Sequence, residues 1–283
     1  MDFPVSHAGF GLDNLSTEFH TVELAACRDR MRRPIIDKTN VNRRIEISIC
    51  APGTTVPSVE DSEFQRYYVQ RATEYERIYE KPERQGDLAT LRQLLPEMFS
   101  GRHVLELACG TGYWTQVISI SAASILATDV SEEVLNVARQ KEFPGSKPTF
   151  HISDAYGLEG VTAKFTAGFG GFWWSHIPKG KLPDFLRNFH RHLAPGSIVA
   201  FLDNIYVEGS STPIARRDED GNTTQLRQLA DGSTHEVLKN FPGDHELRAA
   251  LADSQIEDFA IRRLQYYWCL SYRLTVAPAP NRA

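Results

Sequence analysis

From residue 103 onward, short apolar runs alternate with amphipathic stretches, a rhythm that suits a parallel sheet covered by helices on both faces. HVLELA at 103–108 reads as a first strand, SILATDV at 124–130 as a second and TFHIS at 149–153 as a third. AKFTAGFGGFWW at 163–174 contains a fourth strand and SIVAFLDN at 197–204 is a fifth. Helices are predicted between them near 113–121, over 131–142 and over 182–193, the last stopped by Pro195-Gly196. Ser131 is placed to cap the second of these, with Val134, Leu135 and Ala138 on its buried face. The expected fold class is α/β, a doubly wound and Rossmann-like sheet.

The flanks are less regular. Residues 21–33 suit a short helix, 43–49 a strand or hairpin arm, and 51–63 a connector. A helix is predicted over FQRYYVQRATEYERIYE, 64–80, because its apolar and aromatic positions recur every three or four residues. Pro82 and Gly86 separate it from a second helix at 87–99. Beyond the fifth strand, the polar stretch 206–240 reads as an excursion from the core, followed by a helix at 245–253. The run 259–274 supplies an antiparallel pair of strands, with Arg262, Arg263 and Gln265 near their junction. The expected organisation is an extension over 1–60 and one domain over 61–283.

Charge and cysteine usage narrow the function classes. Thirty-one basic residues against 36 acidic ones give a net charge of −5, which does not favour a phosphate backbone as partner. Cys27, Cys50, Cys109 and Cys269 are scattered without a CxxC pair, and the histidines form no HExxH set, so neither a disulfide framework nor a metal site is expected. The opening MDFPVSHAGFGLDN lacks the basic start and apolar core of a signal peptide, and no run has the length of a membrane span. Cytoplasm is the expected compartment, with no membrane partner.

The sharpest motif is ELACGTGYW, 106–114: strand, glycine turn, helix, the layout that brings backbone close to a nucleotide at the carboxyl end of a parallel sheet. Gly110 and Gly112 permit the tight turn. A dinucleotide motif requires a third glycine where Thr115 stands, and Glu106 places negative charge near the turn, so a pyrophosphate fits poorly. No GK[ST] follows for a Walker loop. Asp129 closes the second strand, where a carboxylate can accept from both ribose hydroxyls. Asp154, after the third, can accept from an adenine amino group with Ala155 beside the ring; a helix-cap or loop role is the bland alternative for each acid.

ELACGTG, ATDVSEEVLNVAR and HISDA together resemble the nucleoside-binding motifs of class I S-adenosylmethionine (SAM)-dependent methyltransferases of the small-molecule type. The resemblance covers 64–205 well and the last strands more loosely. It implies a seven-stranded sheet whose last strand is antiparallel, with SAM as cofactor. It further implies that Glu106 reaches the methionine amino group, that Ala108, Cys109, Gly110 and Gly112 shape the pocket, and that Asp129 and Val130 border the ribose. Asp154 and Ala155 then face adenine, and Tyr67, Arg71 and Tyr75 become candidates for the methionine carboxylate, where a guanidinium gives charge-assisted bonds. Tyr113 departs from the small residue usual after the second glycine, either narrowing the pocket or pointing away.

For the substrate, Phe172, Trp173 and Trp174 are candidate walls of an aromatic pocket, Phe172 also bordering the cofactor. Adjacent tryptophans on a strand face opposite ways, so one of them belongs to the core. His176 is a candidate base for an incoming hydroxyl or amine; capping or positioning is its bland alternative. Tyr206 is a secondary candidate for the pocket wall. The leading expectation is methyl transfer from SAM to O or N of a small, aromatic or heteroaromatic metabolite. A nicotinamide-dependent oxidoreductase and a non-catalytic SAM-binding module are the alternatives, and the first 60 residues are expected to cover the site or join a homodimer.

Overall fold

Seven strands lie side by side in the order β3-β2-β1-β4-β5-β10-β9. The computed structural model describes residues 75–229 and 232–275; the predicted elements at 21–33 and 43–49, together with Tyr67 and Arg71, lie outside them. β1 (His103–Leu107), β2 (Ser124–Asp129), β3 (Thr149–Ile152), β4 (Phe165–Gly171) and β5 (Leu193–Asn204) are mutually parallel. β10 (Tyr267–Leu274) runs antiparallel both to β5 and to β9 (Ile256–Arg263). This is the expected doubly wound sheet with an antiparallel last strand.

Alternation along the strands builds two cores. Leu105 and Leu107 of β1, Phe201 of β5 and Trp268 and Leu270 of β10 join one cluster. Their neighbours Val104, Ala200, Leu202, Tyr267 and Cys269 join the other, as successive side chains must on a pleated strand. Helix α1 (Gln85–Phe99) buries Leu88, Leu91, Leu95 and Phe99 in the second cluster, beside α2 (Tyr113–Ser119). Helix α3 (Glu132–Arg139) starts at Ser131, whose hydroxyl accepts the Val134 N–H at 3.2 Å, as expected. Helix α4 (Leu182–Arg191) packs Phe185, Leu186 and Phe189 into the first cluster, and α5 (Asp244–Ala250) adds Leu247.

Two boundaries differ from the sequence expectation. The predicted 64–80 helix is described only from Tyr75, and Tyr75–Tyr79 is a 3-10 turn, followed by a second such turn at Pro82–Arg84. Within the 163–174 stretch β4 occupies Phe165–Gly171, ending where Phe172 takes a left-handed φ of 59° that breaks the pleat. Pro195-Gly196 lies inside β5, where the register against β4 shifts between Phe165 and Ala167; an irregularity of this kind accommodates a proline that a regular ladder would exclude. The 206–240 stretch contains a small antiparallel sheet, β6 (Arg216–Arg217), β7 (Thr223–Gln228) and β8 (Thr234–Leu238).

Candidate active site

The carboxyl ends of β1, β2, β3 and β4 converge on one edge of the sheet, and the sequence motifs lie along it. After β1 the chain turns through Ala108, Gly110 and Gly112, with left-handed φ values of 47°, 58° and 79°. At Gly112 a Cβ would stand 3.1 Å from the Ala138 Cβ, so glycine lets α2 approach α3. At Gly110 a Cβ would meet nothing within 4 Å. That side of the loop borders open space of the kind a ligand can enter.

Two acids stand at the loop, and one of them anchors it. Asp129 accepts the Gly110 N–H through Oδ2 at 2.9 Å and the Ser131 N–H through Oδ1 at 3.0 Å, which fixes its carboxylate at the end of β2. Burial raises its pKa, opposed by the backbone N–H groups of Ser131, Gly110 and Val130. Val130 beside it is 44% exposed, an apolar surface at the same edge. Glu106 is the second acid, 2% exposed and on the opposite face of β1 from Leu105 and Leu107. Its Oε2 has no hydrogen-bond partner. Burial lifts its pKa to about 8, with repulsion from Asp129 adding to the rise; the nearby Thr115 hydroxyl opposes it without reaching hydrogen-bond geometry.

A buried carboxyl oxygen without a donor is costly, and here it marks a place for a cationic donor from outside the chain. Cys109 is half-buried between these acids, and burial together with their charges pushes its thiol well above the ordinary range, leaving it unreactive as a nucleophile. Asp154, exposed after β3, accepts the Tyr156 N–H at 2.8 Å in a turn of its own making, so the bland loop role is present. Its second oxygen remains available to a ligand amino group. Ala155 next to it is buried.

The Tyr75–Tyr79 turn is tied to the glycine loop. The Thr111 hydroxyl donates to Glu76 Oε1 at 2.6 Å, and Lys141 pairs with the same carboxylate. Tyr79 stacks on Tyr113 with ring centroids 3.9 Å apart and accepts the Trp114 Nε1–H at 3.1 Å. The Tyr113 hydroxyl accepts from Arg92 at 2.6 Å. Tyr113 therefore serves as the stacking platform for that turn, which accounts for a tyrosine after the second glycine.

Beyond β4, Phe172 is buried among Tyr79, Trp114 and Tyr267. Trp174, expected as a pocket wall, is a core residue at 1% exposure, packed edge-on against Phe201 and Trp268. Trp173 is partly buried at the rim of the same cluster, near Tyr156 and 6.5 Å from the His176 ring. His176 Nδ1 lies 2.6 Å from the Leu238 carbonyl oxygen. Because a carbonyl only accepts, the neutral ring carries its hydrogen on Nδ1 and its basic lone pair on Nε2. Tyr206 packs against Phe241, is exposed, and does not line the cavity described next.

A cavity of about 390 Å³ opens at this edge, bounded by Phe172 and His176, by the turns at 75–84, by β7, and by Lys239 and Phe241 just past β8. Its wall is mostly polar: Phe172 and Phe241 are its aromatic members, and Trp173 and Trp174 do not line it. Its cations, Arg77, Lys81, Arg84, Arg227 and Lys239, escaped sequence reasoning because each sits in a stretch that looks like ordinary solvated surface. Lys239 is buried and paired with the fully buried Asp203 at 2.8 Å; its ammonium also donates to the Ser175 hydroxyl at 2.6 Å. Asp203 Oδ2 accepts the Ser175 N–H, so this pair stitches the 174–176 turn and His176 to β8.

Residues 104–196 match the family profile of a methyltransferase domain. Over 68 residues the chain is 29% identical to the magnesium-protoporphyrin O-methyltransferase of Rhodobacter capsulatus, a match spanning 23% of this chain and 30% of that enzyme. The chain thus covers less than a third of that enzyme's length. Among solved structures, it resembles DhpI in its complex with SAH (25% identity, TM-score 0.62, 78% of this chain and 97% of DhpI). The DhpI-SAM-HEP complex gives 25% identity and a TM-score of 0.63 over 77% of this chain and 100% of the other. The PH0226 protein of Pyrococcus horikoshii OT3, at 19% identity and a TM-score of 0.57 over 71% of this chain and 98% of its own, shares the fold.

Proposed function

Since the chain carries a class I SAM-dependent methyltransferase domain, we propose that it transfers a methyl group from SAM to an oxygen or nitrogen atom of a small molecule. The observation that carries this reading is the unpartnered Glu106 Oε2, buried beside the open face of Gly110 and the anchored Asp129 carboxylate. These features fit an aminoacyl nucleoside: Glu106 would take the methionine ammonium, Asp129 the ribose hydroxyls, and Val130 and Asp154 the adenine. When bound, SAM supplies an electrophilic methyl on a sulfonium, ready for in-line displacement. The chain's own task is to orient the acceptor and to exclude water. His176 serves as the base for a hydroxyl or amine acceptor, its ring held in one tautomer by Leu238. In the same reading 61–283 form the methyltransferase domain, and residues 1–60 cover the site or join two copies.

A nicotinamide cofactor fits less well. Thr115 is fully buried where the third glycine of a dinucleotide loop would stand, and Glu106 would face the pyrophosphate.

Calorimetric titration of the full chain tests the reading. SAM and S-adenosylhomocysteine (SAH) are expected to bind in the micromolar range, about −8 kcal/mol, and NADH not at all. Binding of NADH in preference to SAM would overturn it. Once an acceptor is found by screening with methyl-labelled SAM, His176→Gln is expected to lower turnover about 100-fold with SAM affinity unchanged.

A further inference from the structure

We propose that the small-molecule substrate carries an oxyanion, a carboxylate or a phosphoryl group, bound in the 390 Å³ cavity by Lys81, Arg84 and Arg227. This rests on the methyltransferase reading for the role of the ligand as substrate. It rests on the cavity wall for its charge.

Five cationic side chains line the cavity, and among the described residues no Asp or Glu does. Asp203 neutralises Lys239 from beneath. Arg84 has no such direct counter-charge among the described residues: the exposed Glu83 carboxylate is within electrostatic reach and connects to it only through the shared Ser210 hydroxyl. Arg84 is 8% exposed, its guanidinium donates to the Ser210 hydroxyl at 3.3 Å and lies over the rings of Tyr266 and Tyr267, and its Nε has no acceptor. Among the described residues Arg84 makes no ion pair. Lys81 donates to the Ser210 carbonyl at 3.3 Å, also without a carboxylate in direct contact among the described residues. Glu83, the acid that precedes Arg84, is exposed and does not line the cavity; it accepts from the same Ser210 hydroxyl that Arg84 donates to, and stands within electrostatic reach of Lys81 and Arg84 without pairing directly with either.

A buried guanidinium with an unused donor and no anion in direct contact is an expensive arrangement in a folded protein. The crowding is felt by Lys239: burial first, then Arg227 and Arg84, hold its pKa down to about 8 despite the Asp203 contact. An oxyanion entering the cavity relieves that surplus. It supplies the acceptors that Lys81 and Arg84 lack, and a planar guanidinium grips carboxylate or phosphoryl oxygens two at a time. Phe172 joins this cavity to the edge assigned to SAM. Because the methyl donor is itself a cation, a cationic wall facing it is favourable when an anion lies between them.

The test is calorimetric titration of SAH-saturated full-length protein with inorganic phosphate and, separately, with acetate, at ionic strength held constant with chloride. Saturable millimolar binding of at least one is expected, phosphate alone indicating a phosphoryl substrate and acetate alone a carboxylate. Lys81→Gln and Arg84→Gln should each weaken it about tenfold or more while SAH affinity stays within twofold. Lys81 is only partly buried, so its variant keeps the test interpretable if Arg84→Gln fails to fold. Binding of SAH with no saturable response to either anion, or an anion response unchanged in Lys81→Gln, overturns the proposal. Failure to bind SAH, with anion binding intact, would instead count against the methyltransferase reading.

Discussion

Asp129→Ala is expected to weaken SAM binding roughly 1,000-fold, from the loss of two hydrogen bonds to a charged acceptor at about 1.5–3 kcal/mol each. The substitution removes more than a ligand contact. Gly110 and Ser131 both donate to this carboxylate, so the glycine turn loses the anchor that sets its distance from β2. Asp129→Asn separates the two contributions. Its amide retains the shape and one acceptor oxygen, and a loss of about tenfold to 100-fold is expected. Calorimetry on variants shown to be folded by circular dichroism gives the comparison. Wild-type affinity in a folded Asp129→Ala protein would move the nucleoside site away from this edge.

The second large effect is a dependence on pH that originates at Glu106. With its pKa raised to about 8 by burial, Glu106 is mainly protonated at neutral pH in the free protein. An ammonium ligand is held best by the carboxylate, so binding near pH 7 should expel close to one proton. Affinity should then rise about tenfold per pH unit toward pH 8, with a maximum there as the ligand's own α-amino group, with a pKa near 8, begins to titrate. Stability of the free protein runs the other way. A carboxyl whose folded pKa exceeds its unfolded value favours the folded state fully below about 4.5 and loses that contribution as pH climbs to 8. Titrations in HEPES and Tris, whose ionisation enthalpies differ, measure the released proton. Glu106→Gln should abolish the buffer difference, flatten the pH profile and weaken binding roughly 100-fold or more. A wild-type enthalpy identical in the two buffers would exclude an ionising Glu106 from the ligand contact.

The sheet was legible because its central strands are buried on both faces: a run such as Val104-Leu105-Glu106-Leu107 suits little else. Glu106, Gly110, Gly112 and Asp129 were legible for a related reason, as polar or glycine positions interrupting apolar strand ends. The continued apolarity of Phe172-Trp173-Trp174 concealed the end of β4, which is set by a left-handed residue and by packing that separates core Trp174 from its neighbours. The cavity cations were illegible. Arg84 meets Ser210 across 126 positions and Lys239 meets Asp203 across 36, and no local periodicity encodes such pairings. The same long separations hid the polar character of the wall, and with it the charge of the ligand it suits.

The boundaries of the cavity differ in the free energy needed to part them. On one side, separating β8 from the 174–176 turn would strand the buried Asp203 and Lys239 charges, at several kcal/mol. On the other, the 75–84 stretch is fastened by ring stacking, by a few hydrogen bonds and by the Glu76 contacts, where the glutamate is about one-third exposed; each such link contributes on the order of 1 kcal/mol. Exchange of ligands with solvent is therefore directed past that stretch, while β7 and β8 stay put and keep His176 in register with the sheet.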